Sequence, residues 1–251
     1  MMALCALVGI AAPVALAWWL VKKHHARLGT ILVGAGVFFV FALLLEPILH
    51  QVVLKGPFGD IISGSTWYYA LYGGLAAGIF EETGRFLGMK FLLKKEPTGA
   101  LPAVAYGVGH GGMEMLMIFG ITMISNIVVS LMINAGQVDT ILSAVPAETR
   151  EQVEGQFMKL QELNAGQLLL GLWERISALM LHLGLSVFVW TAVRKGGKWL
   201  WLFPSAILLH ALVDGVAVVL SKSLSVNAVE LIIFSMAIAV GAAGYMLAKK
   251  L

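Results

Sequence analysis

Long apolar runs follow one another along the whole chain of 251 residues. They occupy about residues 2–21, 28–49, 66–92, 99–134, 167–193, 199–221 and 226–248. A helix needs about 20 predominantly apolar residues to cross a bilayer, and each run is long enough. Only 12% of the residues are charged, against about 25% in soluble domains. The sequence therefore predicts an all-α fold, a polytopic transmembrane helical bundle with about seven membrane helices.

Charge and cysteine content exclude other classes of protein. The net charge of +3 is small and the basic residues are scattered, so no nucleic-acid partner is expected. Cys5 is the single cysteine, which excludes an intramolecular disulfide framework and a thiolate metal site. We therefore expect residues 1–251 to form one integral membrane domain surrounded by lipid, with a core at about residues 66–221.

Residues 99–134 form a run that is too long for a straight crossing. Its 36 residues would extend ~54 Å as a helix, against a hydrocarbon core of ~30 Å. If this run crosses once, as a bent or extended helix, eleven basic residues share one side: Lys22, Lys23, Arg27, Lys90, Lys94, Lys95, Arg194, Lys195, Lys198, Lys249 and Lys250. Basic residues concentrate on the cytoplasmic side of membranes. The pattern favours seven crossings, with the N-terminus outside and the C-terminus cytoplasmic; eight crossings are the alternative.

Two segments need an interpretation of their own. The first run continues into Lys22 and Lys23, which predicts a retained membrane anchor rather than a cleaved signal peptide. Residues 135–165 carry five acidic and two basic residues, with apolar residues at helical spacing. This pattern predicts an amphipathic helix that lies on the outer surface.

Ionisable residues in four of the apolar runs fall at a common depth. Glu82 lies 12 residues from Lys94, His182 lies 12 from Arg194, His210 lies 12 from Lys198, and His110 lies 13 from Pro97. At 1.5 Å per residue, each is ~18 Å from its boundary. Ionisable groups inside a membrane are costly and usually functional. We therefore expect a four-helix catalytic core around one polar chamber, reached from the cytosolic half.

These residue types suit hydrolysis. A divalent metal such as Zn²⁺ takes imidazole and carboxylate ligands and can keep one position for water. The candidate metal ligands are His110, His182, His210 and Glu82. A glutamate can accept the proton of that water, and glutamate and histidine could also position the water without a metal. Arg85 follows Glu81 by four residues and can hold one of the paired carboxylates ionised.

Further polar residues extend the same helix faces. Glu114 and Asp214 each follow the histidine of their own run by four residues, which places each pair on one helical face. Glu174 and Arg175 lie about two turns before the histidine of their run. For these two residues an internal ion pair is favoured over a catalytic role.

Three short motifs resemble those of the CPBP superfamily of intramembrane proteases, which includes the type II CAAX prenyl endopeptidases and the Abi proteins. The motifs are Glu81-Glu82-Thr83-Gly84-Arg85, Tyr106-Gly107-Val108-Gly109-His110 and His210-Ala211-Leu212-Val213-Asp214. They correspond to EExxxR, FxxxH and HxxxN or HxxxD in that superfamily. The segment from Tyr106 to Glu114 is most similar to the bacterial YhfC family of intramembrane metalloproteases. The resemblance covers about residues 66–221.

The resemblance implies hydrolysis of a peptide bond in or near the bilayer by a glutamate-activated water. Glu81 or Glu82 would activate the water together with His110. His210 and Asp214 would bind metal or stabilise the oxyanion. The arginine stands one residue closer to the glutamates than in the prenyl-protease motif, and a tyrosine replaces the phenylalanine, so the identity of the base stays open. The implied partner is a peptide or a membrane-protein substrate.

Two other functions are compatible with the same residues. A non-catalytic membrane scaffold or peptide-binding protein of this fold would keep the polar core for packing or for binding. A proton-coupled transporter would need buried histidines and glutamates, but it would usually show an inverted repeat, which is not detected here. The presence of both glutamates with three membrane histidines favours the enzyme.

Overall fold

The chain folds into helices joined by short loops, in a computed structural model that describes residues 1–251. The helices are α1 (Met2–His24), α2 (Leu28–Leu54), α3 (Gly59–Ser63), α4 (Thr66–Leu87), α5 (Leu101–Asn134), α6 (Val138–Ser143), α7 (Arg150–Glu162), α8 (Ala165–Lys195), α9 (Leu202–Leu220) and α10 (Val226–Ala248). Six of them are long and apolar enough to cross a membrane, namely α1, α2, α5, α8, α10 and α9 with the 3₁₀ turn that precedes it. The predicted all-α membrane bundle is confirmed.

The α4 helix is a further long helix of the bundle and carries the charged residues Glu81, Glu82 and Arg85. Its 22 residues extend ~33 Å, and a π-helical turn, Gly88–Leu92, continues it. Ser65 caps its beginning by accepting a hydrogen bond from the backbone N–H of Tyr68. The charged residues in its second half are buried because α4 packs against both α9 and α2.

The α5 helix covers the run that is too long for a straight crossing. It is continuous over 34 residues, or ~51 Å. A π-helical segment, Met115–Ile121, interrupts its regular geometry just after Glu114, as such segments often do near functional residues. The α5 helix packs against α1 before, within and after this segment. The single-crossing interpretation agrees with this continuous helix.

The α8 helix is the centre of the bundle. It has 31 residues and begins at a capping box in which Asn164 and Gln167 exchange hydrogen bonds between side chain and backbone. It packs on α10, α5, α9 and α4. Leu185, Val189 and Trp190 in its second half have no exposed surface. The other helices therefore position their polar groups against a central helix that is itself tightly packed.

Two helix pairs cross closely because glycines stand at the crossings. A Cβ atom on Gly34 of α2 would lie 2.2 Å from the carbonyl oxygen of Tyr106 on α5. A Cβ atom on Gly74 of α4 would lie 2.4 Å from the carbonyl oxygen of Ala211 on α9. A side chain at either position would push the helices apart. The two crossings fix which faces of α4 and α5 turn inward.

The loops that carry most of the basic residues meet at one end of the bundle, called the basic face below. Arg27, in the α1–α2 loop, lies 3.4 Å from Glu96 in the α4–α5 loop. Arg194, at the end of α8, donates to the carbonyl oxygen of Glu96 over 3.1 Å. Lys250, near the C-terminus, lies over the ring of Trp199 in the α8–α9 loop, at 5.7 Å. Four parts of the chain thus converge on the basic face.

The end of the bundle opposite the basic face carries residues 135–165, the segment that the sequence predicts to lie on the outer surface. Within it, α6 and α7 are helical, and α7 covers the predicted amphipathic stretch. Phe157 is the one buried residue of α7, which packs on the last part of α5. The remaining surface of α7 is mostly exposed and polar, so this helix has the narrow apolar face that the pattern predicts.

Candidate active site

Side chains from α4, α5, α8 and α9 meet in the middle of the bundle. His110 Nε2 lies 2.9 Å from Glu81 Oε2, and His210 Nδ1 lies 2.9 Å from Glu82 Oε1. His182 lies between the other two histidines, with ring centroids 4.8 Å from His110 and 5.3 Å from His210. Five ionisable residues from four helices thus form one polar cluster.

Glu82 holds His210 in one orientation. The Glu82 side chain has no exposed surface, and its Oε2 lies 3.3 Å from Nε of Arg85, one turn later. A carboxylate paired with arginine accepts hydrogen bonds, so Nδ1 of His210 is the donor, and in the neutral form of the ring the lone pair is on Nε2. That nitrogen lies 3.5 Å from Asp214 Oδ2. Glu82 therefore sets both the tautomer and the direction of His210.

Arg85 connects α4 to the central helix. Its Nη1 donates to the carbonyl oxygen of His182 over 3.0 Å and to Ser186 Oγ over 3.1 Å, and its Nη2 lies 2.8 Å from His182 Nδ1. A guanidinium only donates, so Nδ1 of His182 accepts. The proton of the neutral ring then sits on Nε2, which lies 2.7 Å from Glu114 Oε2. Both nitrogens of His182 are therefore occupied.

Glu81 differs from Glu82 because its carboxylate reaches a cavity. The cavity has a volume of about 140 Å³, which is room for several waters. Its polar lining consists of Glu81, Glu114, Glu174, Arg175, Ser177, His182, His210, Asp214 and Glu230. The Glu81 side chain is 10% exposed, and Glu82 lies outside the lining. The two adjacent glutamates thus face different surroundings.

Arg175 joins two carboxylates at the wall of this cavity. Its Nη1 lies 2.6 Å from Glu114 Oε1, and its Nη2 contacts the Glu174 carboxylate. The sequence favoured an ion pair between Glu174 and Arg175, and the structure contains it and adds Glu114. Since Glu114 also contacts His182, the ion pair is connected to the histidine cluster.

Two residues of the site were not expected from the sequence. Ser186 accepts from Arg85 and donates to the carbonyl oxygen of His182 over 2.6 Å. Glu230 of α10 lines the cavity, and its Oε2 is buried without a hydrogen-bond partner. An acid in a membrane helix is itself a signal that could have identified Glu230. Serine carries no such signal, because it is common in membrane helices.

The donors at the cavity fit a divalent cation. Ligand atoms of Glu81, His182 and His210 lie within 4.8 Å of one another, and two imidazoles with one carboxylate form a known ligand set of catalytic zinc. His210 presents a free Nε2 while a carboxylate holds its other nitrogen, as carboxylates commonly do behind metal-binding histidines. His182 Nε2 lies 3.9 Å from Glu81 Oε2 and would have to exchange its contact with Glu114 for the metal.

Two residues that the sequence proposed as metal ligands lie outside this group. Glu82 is bound to Arg85 and His210. His110 is hydrogen-bonded to Glu81, and its other nitrogen, Nδ1, is buried without a partner. The geometry therefore favours Glu81 over Glu82 as the carboxylate ligand, and it places His110 behind Glu81.

The fold and the polar cluster together define the class of the protein. It is a polytopic helical membrane protein in which a buried site of glutamate, arginine and histidine side chains lies beside a cavity large enough for several waters. The chain belongs to the YhfC intramembrane metalloprotease family, which its residues 5–239 match. It is 37% identical over 236 residues to the "uncharacterized membrane protein YhfC" of Bacillus subtilis (strain 168), covering 92% of this chain and 89% of that protein. No solved structure matches the chain. The resemblance to the YhfC family is confirmed, and placement in the wider CPBP superfamily stays a prediction.

Proposed function

We propose that the protein is an intramembrane endopeptidase that hydrolyses a peptide bond with a water molecule activated by Glu81. The proposal depends on the different surroundings of the two glutamates. Glu82 uses its oxygens to hold Arg85 and His210, whereas Glu81 lines the cavity. The description of the family as intramembrane metalloproteases supports peptide hydrolysis as the reaction.

Glu81 acts on water in the cavity. His110 lies 2.9 Å from its Oε2 and keeps the carboxylate oriented. The carboxylate accepts a proton from the water as the water oxygen attacks the carbonyl carbon of the peptide. The proton then passes to the amide nitrogen as the C–N bond breaks, which releases a carboxylic acid and an amine.

His210 provides a second group at the same cavity. Because Glu82 fixes its Nδ1, its Nε2 faces the cavity, and in its protonated form it would stabilise the oxyanion of the tetrahedral intermediate. Asp214, 3.5 Å away, and Glu82 balance the positive charge of that ring. Arg85 holds Glu82 in place and thereby acts through it.

In a metal-assisted form of the reaction, an ion such as Zn²⁺ would be held by Glu81, His182 and His210, and His210 would then be a neutral ligand instead of a protonated donor. When bound, the ion would act as a Lewis acid that polarises the peptide carbonyl and makes the water a better nucleophile. Glu82 would keep His210 turned toward the ion, and His110 would keep its hydrogen bond to Glu81.

The setting of the reaction follows from the charge distribution. We place the chain in the cell membrane as a multi-pass protein with the basic face in the cytoplasm. The N-terminus then lies outside, and the C-terminus is cytoplasmic. Its partners are membrane lipid and a peptide or membrane-protein substrate.

A cleavage assay with the purified chain in detergent tests this proposal. Wild type, Glu81→Gln, Glu82→Gln and His110→Ala are incubated with a peptide library, and metal content is measured in parallel. Loss of a general base lowers rates by about 100-fold or more, so we expect at least this loss in Glu81→Gln. Glu162→Gln, on the exposed side of α7, is the matched control and should keep full activity.

Two outcomes would count against the proposal. Full activity of Glu81→Gln would show that another group activates the water. Tight binding of peptides without any cleavage by the wild type would favour a non-catalytic peptide-binding protein of the same fold.

A further inference from the structure

The cavity lies entirely on one side of the histidine cluster. On α8 its wall extends from Glu174 to His182, which is toward the beginning of that helix. On α9 it extends from His210 to Ala217, which is toward the end of that helix. The basic face is where α8 ends and α9 begins, so both stretches lead away from it. Glu230, near the beginning of α10, continues the same wall.

Side-chain exposure rises along this wall. The Glu82 side chain is 0% exposed and that of Glu81 is 10% exposed. Asp214 is 40% exposed and Glu174 is 47% exposed. The last two residues lie one and two turns farther from the basic face than the histidines of their own helices. The cavity is therefore open at the end away from the basic face and closes at Glu81.

The other side of the cluster is tightly packed. The residues between the cluster and the basic face include Arg85, Tyr106, Ser186, Trp190 and Ala206, and all five have no exposed surface. They come from α4, α5, α8 and α9, the same four helices that supply the glutamates and histidines. None of the five lines the cavity. The packed layer therefore separates Glu81 from the basic face.

We propose that the substrate reaches Glu81 from the half of the membrane opposite the basic face, which the positive-inside rule makes the outer half. The charge pattern and the helix depths predict access from the cytosolic half, whereas the cavity lies on the side of the histidines away from the basic face. This inference rests on the proposed function and adds a substrate class. The substrates are peptide segments whose susceptible bond is presented in the outer half of the bilayer or from outside it.

Cysteine labelling tests the direction of access. Cys5, which is buried, is replaced by serine, and single cysteines are then introduced. Ala178→Cys lies on the cavity wall, Lys198→Cys lies on the basic face, and Ser143→Cys lies at the opposite end. Each variant is treated with a membrane-impermeant trimethylammonium methanethiosulfonate, whose positive charge suits the carboxylate lining. Intact cells are compared with inverted membrane vesicles.

We expect Ala178→Cys and Ser143→Cys to react in intact cells and to be protected in inverted vesicles, and Lys198→Cys to show the reverse. Reaction of Ala178→Cys from the same side as Lys198→Cys would refute the direction of access. Protection of Ala178→Cys in both preparations, while Ser143→Cys reacts, would also refute the proposed direction of access. Labelling requires no peptide cleavage, so this result is independent of whether the chain is a protease.

Discussion

Arg85 Nη2 on α4 lies 2.8 Å from His182 Nδ1 on α8, although 97 residues separate them in the sequence. The same guanidinium lies 3.3 Å from Glu82 through its Nε. One buried cation therefore fixes both a glutamate of the α4 pair and the central histidine. The arrangement depends on a planar group with several N–H donors, which arginine has and lysine lacks.

Arg85→Lys should destabilise the protein although it keeps the charge. A single ammonium cannot replace the hydrogen bonds to His182 and Ser186. Hydrogen bonds to charged groups contribute about 1.5–3 kcal/mol each, so we expect a clear fall in the thermal unfolding midpoint in detergent. Arg150→Lys, at an exposed position, is the control. Equal midpoints for the two variants would show that the Arg85 contacts contribute little.

Gly34→Ala should weaken the crossing of α2 with α5. The new methyl group would lie 2.2 Å from the carbonyl oxygen of Tyr106, whereas at Gly36, two residues later, a Cβ atom meets nothing within 4 Å. Alanine is favoured over glycine in a helix by about 0.5–1 kcal/mol. Gly36→Ala should therefore unfold at the wild-type temperature or slightly above it, and Gly34→Ala well below it. The crossing would be less tight than described if both variants melted alike.

Removal of Arg175 should cost more than removal of its exposed partner. Arg175→Met leaves Glu114 without its cation, and losing one partner of a buried pair typically costs about 3–5 kcal/mol. Glu174 is 47% exposed, so Glu174→Gln should change stability by less than about 1 kcal/mol. The double variant Glu114→Gln/Arg175→Met should recover part of the loss, as a double-mutant cycle in chemical denaturation would show. Additive losses would mean that the two residues are not coupled.

Metal content should depend more on His210 than on His182. Only Asp214 lies near Nε2 of His210, at 3.5 Å, whereas Arg85 and Glu114 lie within 2.8 Å of the two nitrogens of His182. After equilibration with Zn²⁺, we expect bound zinc to fall most in His210→Ala and Glu81→Gln and less in His182→Ala. Glu162→Gln serves as the control, and zinc is measured by elemental analysis. Chelation should lower cleavage by the wild type, and added zinc should restore it. Unchanged zinc in His210→Ala would exclude the proposed ligand set.

The sequence predicts that the membrane histidines and glutamates lie close together better than it predicts the role of each of them. Helix rise is constant, so the distance from a charged boundary gives the depth of Glu82 or His210. Rotation about the helix axis is not given in this way, because each residue turns the helix by about 100°. Whether Glu81 or Glu82 faces the cavity depends on how α4 crosses α9 at Gly74, which is a long-range contact.

The partners of Arg85 could not be predicted for a related reason. Helical spacing connects Arg85 to the glutamates of its own helix, while its hydrogen bonds reach residues 97 and 101 positions later. The sequence also predicts a chamber reached from the side of the basic face, whereas the cavity lies on the other side of the histidines. The side on which the cavity lies depends on how completely side chains such as Tyr106 and Trp190 fill the space between helices. The spacing of residues in the sequence does not contain this information.

The packed layer behind Glu81 has a consequence for the cell that carries this protein. Water and acidic side chains within a membrane could let ions leak and discharge the membrane potential. Here the cavity is closed at one end, because Arg85, Tyr106 and their neighbours fill the space beyond Glu81 with fully buried side chains. A cavity closed in this way gives ions no continuous path from one side of the bilayer to the other, so the membrane remains an electrical insulator.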